Sequence, residues 1–273
     1  MNRRGGFVLG SAELIARKMK TLSSMWVSFL DMIRDGQDPR LFDHHERLAY
    51  LELRDVFNWK KDIVVYDIGS NIGMYADFFS RLSTVSKVYC FEPVAEVFEK
   101  LVQNCKGNRK VECLQVALGN RVEKRPFHVN EFSPSSSILP LQSVTVEEFP
   151  HAAKTRVIKL ETTTLSRIVA QKKLLDPDFI KLDVQGFEEP VIRGGIEVFR
   201  KARFCMTEMS LTSLYQGSAL AVEMNALLRQ LAFRLVGILD HKTKGKSGEI
   251  LQFDALYENG RHLLSDSNRS YSC

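Results

Sequence analysis

The chain is predicted to fold as an α/β protein, with a mostly parallel sheet of seven strands that ends in an antiparallel hairpin and is preceded by a helical extension. Three observations carry that prediction. Beyond Lys61, short apolar strands alternate with amphipathic helices, the pattern of parallel βαβ units. The last two strands flank DHKTKGKSG, a charged, glycine-bearing stretch suited to an antiparallel turn at a sheet edge. Before Lys61, the apolar residues Ile15, Met19, Leu22, Trp26, Phe29 and Ile33 recur at alternating steps of four and three, as one face of a helix requires.

Taken in order, the extension begins with an amphipathic helix from Ser11 to Gly36. Its other face carries Arg17, Lys18, Lys20 and Arg34, which suit contact with an anionic membrane surface, although packing on the domain or on a homodimer partner is the favoured reading. A second helical stretch, His44 to Phe57, precedes the linker WKKD. Strands are expected at Ile63–Tyr66, Lys87–Phe91, Val111–Ala117, Phe179–Leu182, Phe204–Thr207, Arg234–Leu239 and Ile250–Tyr257. Helices are expected between them at Met74–Leu82, Ala95–Asn104, Leu165–Lys172, Glu189–Arg200 and Ala219–Leu231. FSPSSSILP at 132–140, and the proline-bearing stretch up to Pro150, lack regular pattern and read as loops long enough to wall a substrate site.

With 273 residues, 44% hydrophobic and 26% charged, the chain can bury a sizeable core. The expected organisation is an extension at 1–60, one large domain at 61–262 and a flexible tail at 263–273. A net charge of +5 is only mildly basic, and no aromatic RNP-like string is present, so a nucleic-acid partner is disfavoured. Five cysteines without a C-x-x-C pair suggest reduced thiols and a cytoplasmic location rather than a zinc site or a disulfide framework. Charged residues interrupt the N-terminal apolar run before it could serve as a signal peptide, and no 18-residue apolar stretch spans a bilayer.

The chemistry starts at VVYDIGSNIG, residues 64–73, where a strand ends in Asp67 and enters a bend carrying Gly69, Asn71 and Gly73. In an open parallel sheet, ligands bind beyond the carboxyl ends of the strands. A dinucleotide fingerprint from Gly69 would need glycines at 71 and 74, where Asn71 and Met74 stand, so the pyrophosphate reading fails on spacing. The remaining string, D-x-G-x-N-x-G, resembles motif I of S-adenosylmethionine-dependent methyltransferases. A carboxylate such as Asp67 suits a cofactor carrying an ammonium and a sulfonium and would repel a pyrophosphate. Asn71 offers an amide to the cofactor's amino acid end.

The second strand ends in VYCFEP, placing Glu92 at its terminus 23 residues after Gly69, where a carboxylate can accept from both ribose hydroxyls. VECLQVALGN then brings Ala117 and Leu118 to the place where such enzymes border the adenine. Parallel strands closed by a hairpin resemble the seven-stranded class I methyltransferase sheet.

DFIKLDVQGFEEPVIRGG, residues 178–195, narrows the resemblance to the FkbM-type methyltransferases, whose I-K-x-D-V-Q-G-x-E core stands here as Ile180, Lys181, Asp183, Val184, Gln185, Gly186 and Glu188. The likeness extends over DIGSNIG, FEP, the pair Ser136 and Ser137, and TEMS around Glu208, about residues 61–257. One departure is TLS at Thr164–Ser166, where the family often has T-L-D. Lys181 and Asp183 lie two apart, on one side of a strand, and Gly186 permits a turn into the helix carrying Glu188. Their reading as a mere ion pair at the strand end stays open beside the catalytic one.

The resemblance implies an O-methyltransferase whose small-molecule or glycan acceptor offers a hydroxyl on a sugar, polyketide or related product. Asp183 is the first candidate for the base or orienting group, with Lys181, Glu188 and Glu208 as further catalytic candidates. A magnesium or calcium ion held by the same acids ranks second. The alternatives from other classes are an inactive cofactor-binding scaffold and an NAD-dependent oxidoreductase.

Overall fold

The computed structural model describes residues 27–130, 136–142, 155–244 and 247–262. Seven strands form the main sheet: β1 (Ile63–Ile68), β2 (Val85–Glu92), β3 (Val111–Gln115), β7 (Phe179–Leu182), β8 (Phe204–Ser210), β9 (Phe233–Thr243) and β10 (Ile250–Asn259). Their order is β3-β2-β1-β7-β8-β10-β9, parallel through β8, with β10 antiparallel to both of its neighbours. The expected hairpin therefore forms at the sheet edge.

β1 is buried along its whole length, as a central parallel strand covered on both faces must be. Its alternation divides the core. Val64, Tyr66 and Ile68 join the apolar cluster on one face, which includes Ile180, Leu182 and Phe187. Ile63 and Val65 join the cluster on the other face with Phe79, Phe179 and Leu256. Strand order reverses between β1 and β7, and at such a switch point the loops leaving neighbouring strands diverge and leave a crevice.

The helices on these faces are α4 (Met74–Arg81), α5 (Ala95–Asn104), α6 (Leu165–Lys172), α7 (Glu188–Gly194), α8 (Ile196–Phe199) and α9 (Ala221–Gln230). Thr164 caps α6 by accepting from the Arg167 N–H. The single helix expected over Glu189–Arg200 is instead α7 and α8, parted at Gly194 and Gly195, because adjacent glycines are poor helix formers and Gly195 presses against Leu165.

In the extension, a helix at 27–34 (α1) is followed by α2 (His44–Glu52) and α3 (Arg54–Asn58), so the stretch read as one helix is two. Asp43 and Glu46 form a reciprocal capping box that starts α2. Met32, Phe42, Tyr50, Leu53, Val56 and Phe57 all join the apolar cluster beneath β1. The buried face of α1 is not the expected one. Ser28 and Met32 are fully buried while Ile33 is exposed, because α1 carries two apolar stripes and periodicity alone does not choose between them. The part of that expected helix before residue 27, and the tail at 263–273, lie outside the described residues.

A second sheet was not anticipated. β4 (Ala117–Leu118), β5 (Glu123–Asn130) and β6 (Thr155–Thr163) form a three-stranded sheet in the order β4-β6-β5. The strand expected over Val111–Ala117 leaves the main sheet at Gln115, and Ala117 and Leu118 pair with Thr162 and Thr163. β5 carries Pro126 and several charges and β6 is largely exposed, so neither offers the apolar run by which a strand is read.

Candidate active site

The crevice lies at the carboxyl ends of β1, β2 and β7 and has a volume of about 490 Å³. Gly69 and Asn71 from the first loop, Glu92 and Pro93 after β2, and Lys181, Asp183 and Gln185 around the end of β7 are among its walls. A more open hollow of about 700 Å³ lies at the opposite end of the sheet among Lys60, Asp178 and Arg261, away from Gly69, Glu92 and Asp183.

Gly69 lets the first and fourth of these parallel strands end against each other. Its φ is +83°, and a Cβ there would stand 1.8 Å from the Asp183 carbonyl oxygen, so only glycine fits. The Asp183 N–H in turn donates to the Ile68 carbonyl at 3.0 Å. Gly73, φ +93°, starts α4 close to Leu101 and Cys105.

Glu92 is buried, with one carboxylate oxygen accepting from the Asn71 N–H at 3.1 Å and the other from the Val94 N–H at 2.9 Å. Burial pushes its pKa up to about 7 against the pull of these two donors. Each oxygen retains a lone-pair site, and the side chain lines the crevice. Next to it an apolar recess of about 30 Å³ is formed by Ile68, Phe91, Ala117, Leu118, Val184 and Phe187 among others.

Asp67 does not line the crevice. It is fully buried beneath it, and its Oδ1 is 3.7 Å from Lys181 Nζ, its cross-strand neighbour in register. Burial raises the Asp67 pKa and Lys181 opposes the rise. Lys181 is almost as buried, 3.4 Å from Asp183 Oδ2 and 4.5 Å above the Tyr75 ring. Burial alone would lower the Lys181 pKa; Asp183, Asp67 and Tyr75 outweigh it and hold the ammonium charged.

Asp183 is the exception among these groups, with a side chain 36% exposed. Its Oδ1 accepts from Gln185 Nε2 at 2.6 Å. Glu188 and Glu208, the further catalytic candidates, both stand outside the crevice walls. Glu188 Oε1 accepts from the Val184 and Gly186 N–H groups at 3.0 and 3.1 Å, closing the DVQG turn. Glu208 accepts from Gln252 Nε2 and, at 3.3 Å, from Lys242 Nζ, and burial with the nearby Asp183 pushes its pKa up to about 8.

Burial pushes the Glu188 pKa up to about 7, so the folded state holds this proton after the unfolded chain, near 4.5, has released it. Its contribution to stability is then full below pH 4.5 and is lost as pH rises to about 7. Between pH 4.5 and 8, wild type is expected to lose stability relative to Glu188→Gln, by on the order of 3 kcal/mol. Urea midpoints of both proteins across that range check it; a constant gap would contradict it.

Sequence reasoning missed Tyr75, which covers Lys181, and Lys242 and Asp254 on the hairpin, whose charges meet Asp183 and Glu208. Tyr75 follows the glycine loop directly and was findable by position; the hairpin residues sit in no motif. Ser166, where the family often has aspartate, is exposed in the first turn of α6 and is not among the crevice walls. Among the described residues, no group of three or more His, Cys, Asp or Glu side chains is placed to hold a metal ion, so the divalent cation has no geometric support. Nor, among them, is any helix long and apolar enough to cross a membrane.

A parallel sheet with an antiparallel last pair, a glycine bend after β1 and a buried acid at the end of β2 defines a class I S-adenosylmethionine-dependent methyltransferase. The methyltransferase FkbM domain matches residues 67–235, and the chain belongs to that family. It is 30% identical over 200 residues to the 2-O-methyltransferase NoeI of Sinorhizobium fredii, covering 70% of this chain and 79% of that protein. To the hexuronic acid methyltransferase AglP of Haloferax volcanii it is 26% identical over 182 residues, covering 64% of this chain and 70% of that protein. Among solved structures, the magnesium protoporphyrin IX methyltransferase of Synechocystis PCC 6803 aligns over 79% of each chain at 10% identity and a TM-score of 0.42, too distant to carry an argument. Family membership removes the NAD-dependent alternative.

Proposed function

We propose that the protein transfers the methyl group of S-adenosylmethionine to a hydroxyl of a sugar, within a glycan or a glycosylated small molecule. The observation that carries this reading is Asp183, a partly exposed carboxylate lining the crevice beside the cofactor motif, while the side chains of Glu188 and Glu208 are largely buried and tied to protein donors. The sugar class follows from NoeI and AglP, whose names specify 2-O-methylation and a hexuronic acid.

The residues present fit the cofactor. Glu92 faces the crevice with acceptor capacity left for vicinal ribose hydroxyls, and the recess bordered by Ala117 and Leu118 offers apolar walls to a planar base. Gly69, Asn71 and Gly73 shape the backbone that meets the amino acid end. Asp67 acts from below, setting the position and charge of Lys181 rather than touching the ligand. When bound, S-adenosylmethionine supplies an electrophilic methyl group on a sulfonium.

Methyl transfer to oxygen depends on an in-line approach and on exclusion of water, and needs a base only as the new bond forms. Asp183 would take the proton of an acceptor hydroxyl held at the crevice as that oxygen gives up its hydrogen for the methyl group. Lys181 stays protonated, with its ammonium 3.4 Å from that carboxylate. Glu188 fixes the turn, and Glu208 braces the hairpin through Gln252 and Lys242.

Incubation with methyl-labelled S-adenosylmethionine and a panel of neutral and uronic methyl glycosides tests the reading. An O-methyl resonance on a sugar ring carbon is expected; label on nitrogen, or on no glycoside while a polyketide alcohol is methylated, would overturn the sugar assignment.

A further inference from the structure

The exposed carboxylate of Asp183 is held from two sides by unequal contacts. Lys181 Nζ approaches Oδ2 loosely at 3.4 Å, whereas Gln185 Nε2 donates to Oδ1 at 2.6 Å. The other end of the same amide is fixed, since the Tyr215 hydroxyl donates to Gln185 Oε1 at 2.7 Å. Gln185 is also held through its backbone, whose carbonyl accepts from Ser137 Oγ at 2.6 Å, and its φ is +55°, in the left-handed region that costs a glutamine energy. Tyr215 and Ser137 are both buried.

We propose that Gln185, locked by Tyr215 and Ser137, is a positioning residue that aims the Asp183 carboxylate at the acceptor hydroxyl. The inference rests on the reading of Asp183 as the proton acceptor. A glutamine is the side chain this place requires. Its N–H₂ end meets a carboxylate and its carbonyl end meets a phenol that donates, and reversing the amide would set two oxygens against each other at Asp183. Without this counter-pull, a partly exposed aspartate beside a buried ammonium swings toward it and closes the loose ion pair, turning its charge away from the crevice.

The lock also ties the site to the acceptor wall. Tyr215 bridges to Leu141, the Gln142 N–H donates to the Leu214 carbonyl at 2.9 Å, and the Gln216 N–H donates to the Pro140 carbonyl at 2.8 Å. Ser137 bridges to His128 on β5. Segment 136–142, from a stretch read as a substrate wall, is thereby fastened to both arms of the lock. Gly186, φ +92°, lets the chain pass Tyr215, because a Cβ there would stand 3.0 Å from the Tyr215 Cβ.

The test uses full-length Tyr215→Phe, which removes one hydroxyl, and Gln185→Met, which removes both amide bonds at similar volume. Each is measured for melting temperature, S-adenosylhomocysteine affinity, and kcat and KM on whichever methyl glycoside wild type methylates, and each is crystallised with S-adenosylhomocysteine. Expected are a kcat lowered about 10-fold in Tyr215→Phe and about 100-fold in Gln185→Met, the scale set by a misplaced reacting group. KM and cofactor affinity stay within about 2-fold, as for an interaction made in the transition state. The crystals are expected to show Asp183 turned toward Lys181. An unmoved Asp183 with unchanged kcat in both variants overturns the proposal, and so does a loss of cofactor affinity and melting temperature in step with kcat. If wild type methylates no glycoside, the proposed function fails, while the position of Asp183 in the Tyr215→Phe crystal still decides the positioning role. Should Gln185→Met not fold, Tyr215→Phe decides it alone.

Discussion

Asp183→Asn is expected to bind S-adenosylhomocysteine as wild type does and to lose about 10²- to 10⁴-fold in kcat, the usual worth of a positioned general base. The amide keeps the size of the side chain and still accepts from Gln185 Nε2, so the crevice and its lock stay in place. What it cannot do is take a proton. The split between an intact cofactor affinity and a collapsed kcat is therefore the signature; a variant that turns over at the wild-type rate would leave Asp183 as the closing partner of an ion pair and move the chemistry elsewhere. Labelled methyl transfer to a glycoside, with calorimetry on the same samples, separates the two.

Lys181→Met is expected to have the largest effect on stability. Among the described residues, Lys181 Nζ makes the ion pair of Asp67, which is fully buried and has no hydrogen-bond donor to either carboxylate oxygen. Methionine fills the volume beneath Tyr75 but leaves that carboxylate unpaired, and breaking a buried pair by removing one partner costs about 3–5 kcal/mol. The sign with pH follows from Asp67, whose folded-state pKa is already raised by burial and rises further without the cation. Stability of the variant is then retained at low pH and lost as pH rises through that value, so the deficit against wild type grows from acid to neutral. Denaturant unfolding at pH 5 and pH 8 measures it. A deficit that is small and independent of pH would mean that Asp67 finds another partner.

Much of the main sheet was legible because its strands are buried on both faces and stand out as short apolar runs between amphipathic helices. Phe179–Leu182, Ala95–Asn104 and Leu165–Lys172 fall where sequence places them. The glycine bend and the DVQG turn were legible for the same reason that they are needed, since backbone approaches closely there and side-chain choice is restricted. The second sheet was not, because Pro126 and the exposed faces of β5 and β6 hide a pairing that only tertiary contact supports. The candidate site was read as a set of acids at strand ends, but sequence spacing cannot say which acid is solvated. Glu188 is consumed by two backbone donors, Glu208 by Gln252 and Lys242, and Asp67 by Lys181, leaving Asp183 and Glu92 facing the crevice. Tyr215 reaches Gln185 and Lys242 reaches Glu208 from far along the chain, and no local motif marks them.

The most direct test of the central claim is calorimetric titration of S-adenosylhomocysteine into wild type and Glu92→Ala at pH 8, above the value of about 7 to which burial moves Glu92. Micromolar binding to wild type is expected, weakened by about 1–3 kcal/mol in the variant through loss of a charged hydrogen-bond partner. Failure of wild type to bind, or equal binding by both proteins, would contradict the assignment of the crevice between β1 and β7 as the cofactor site.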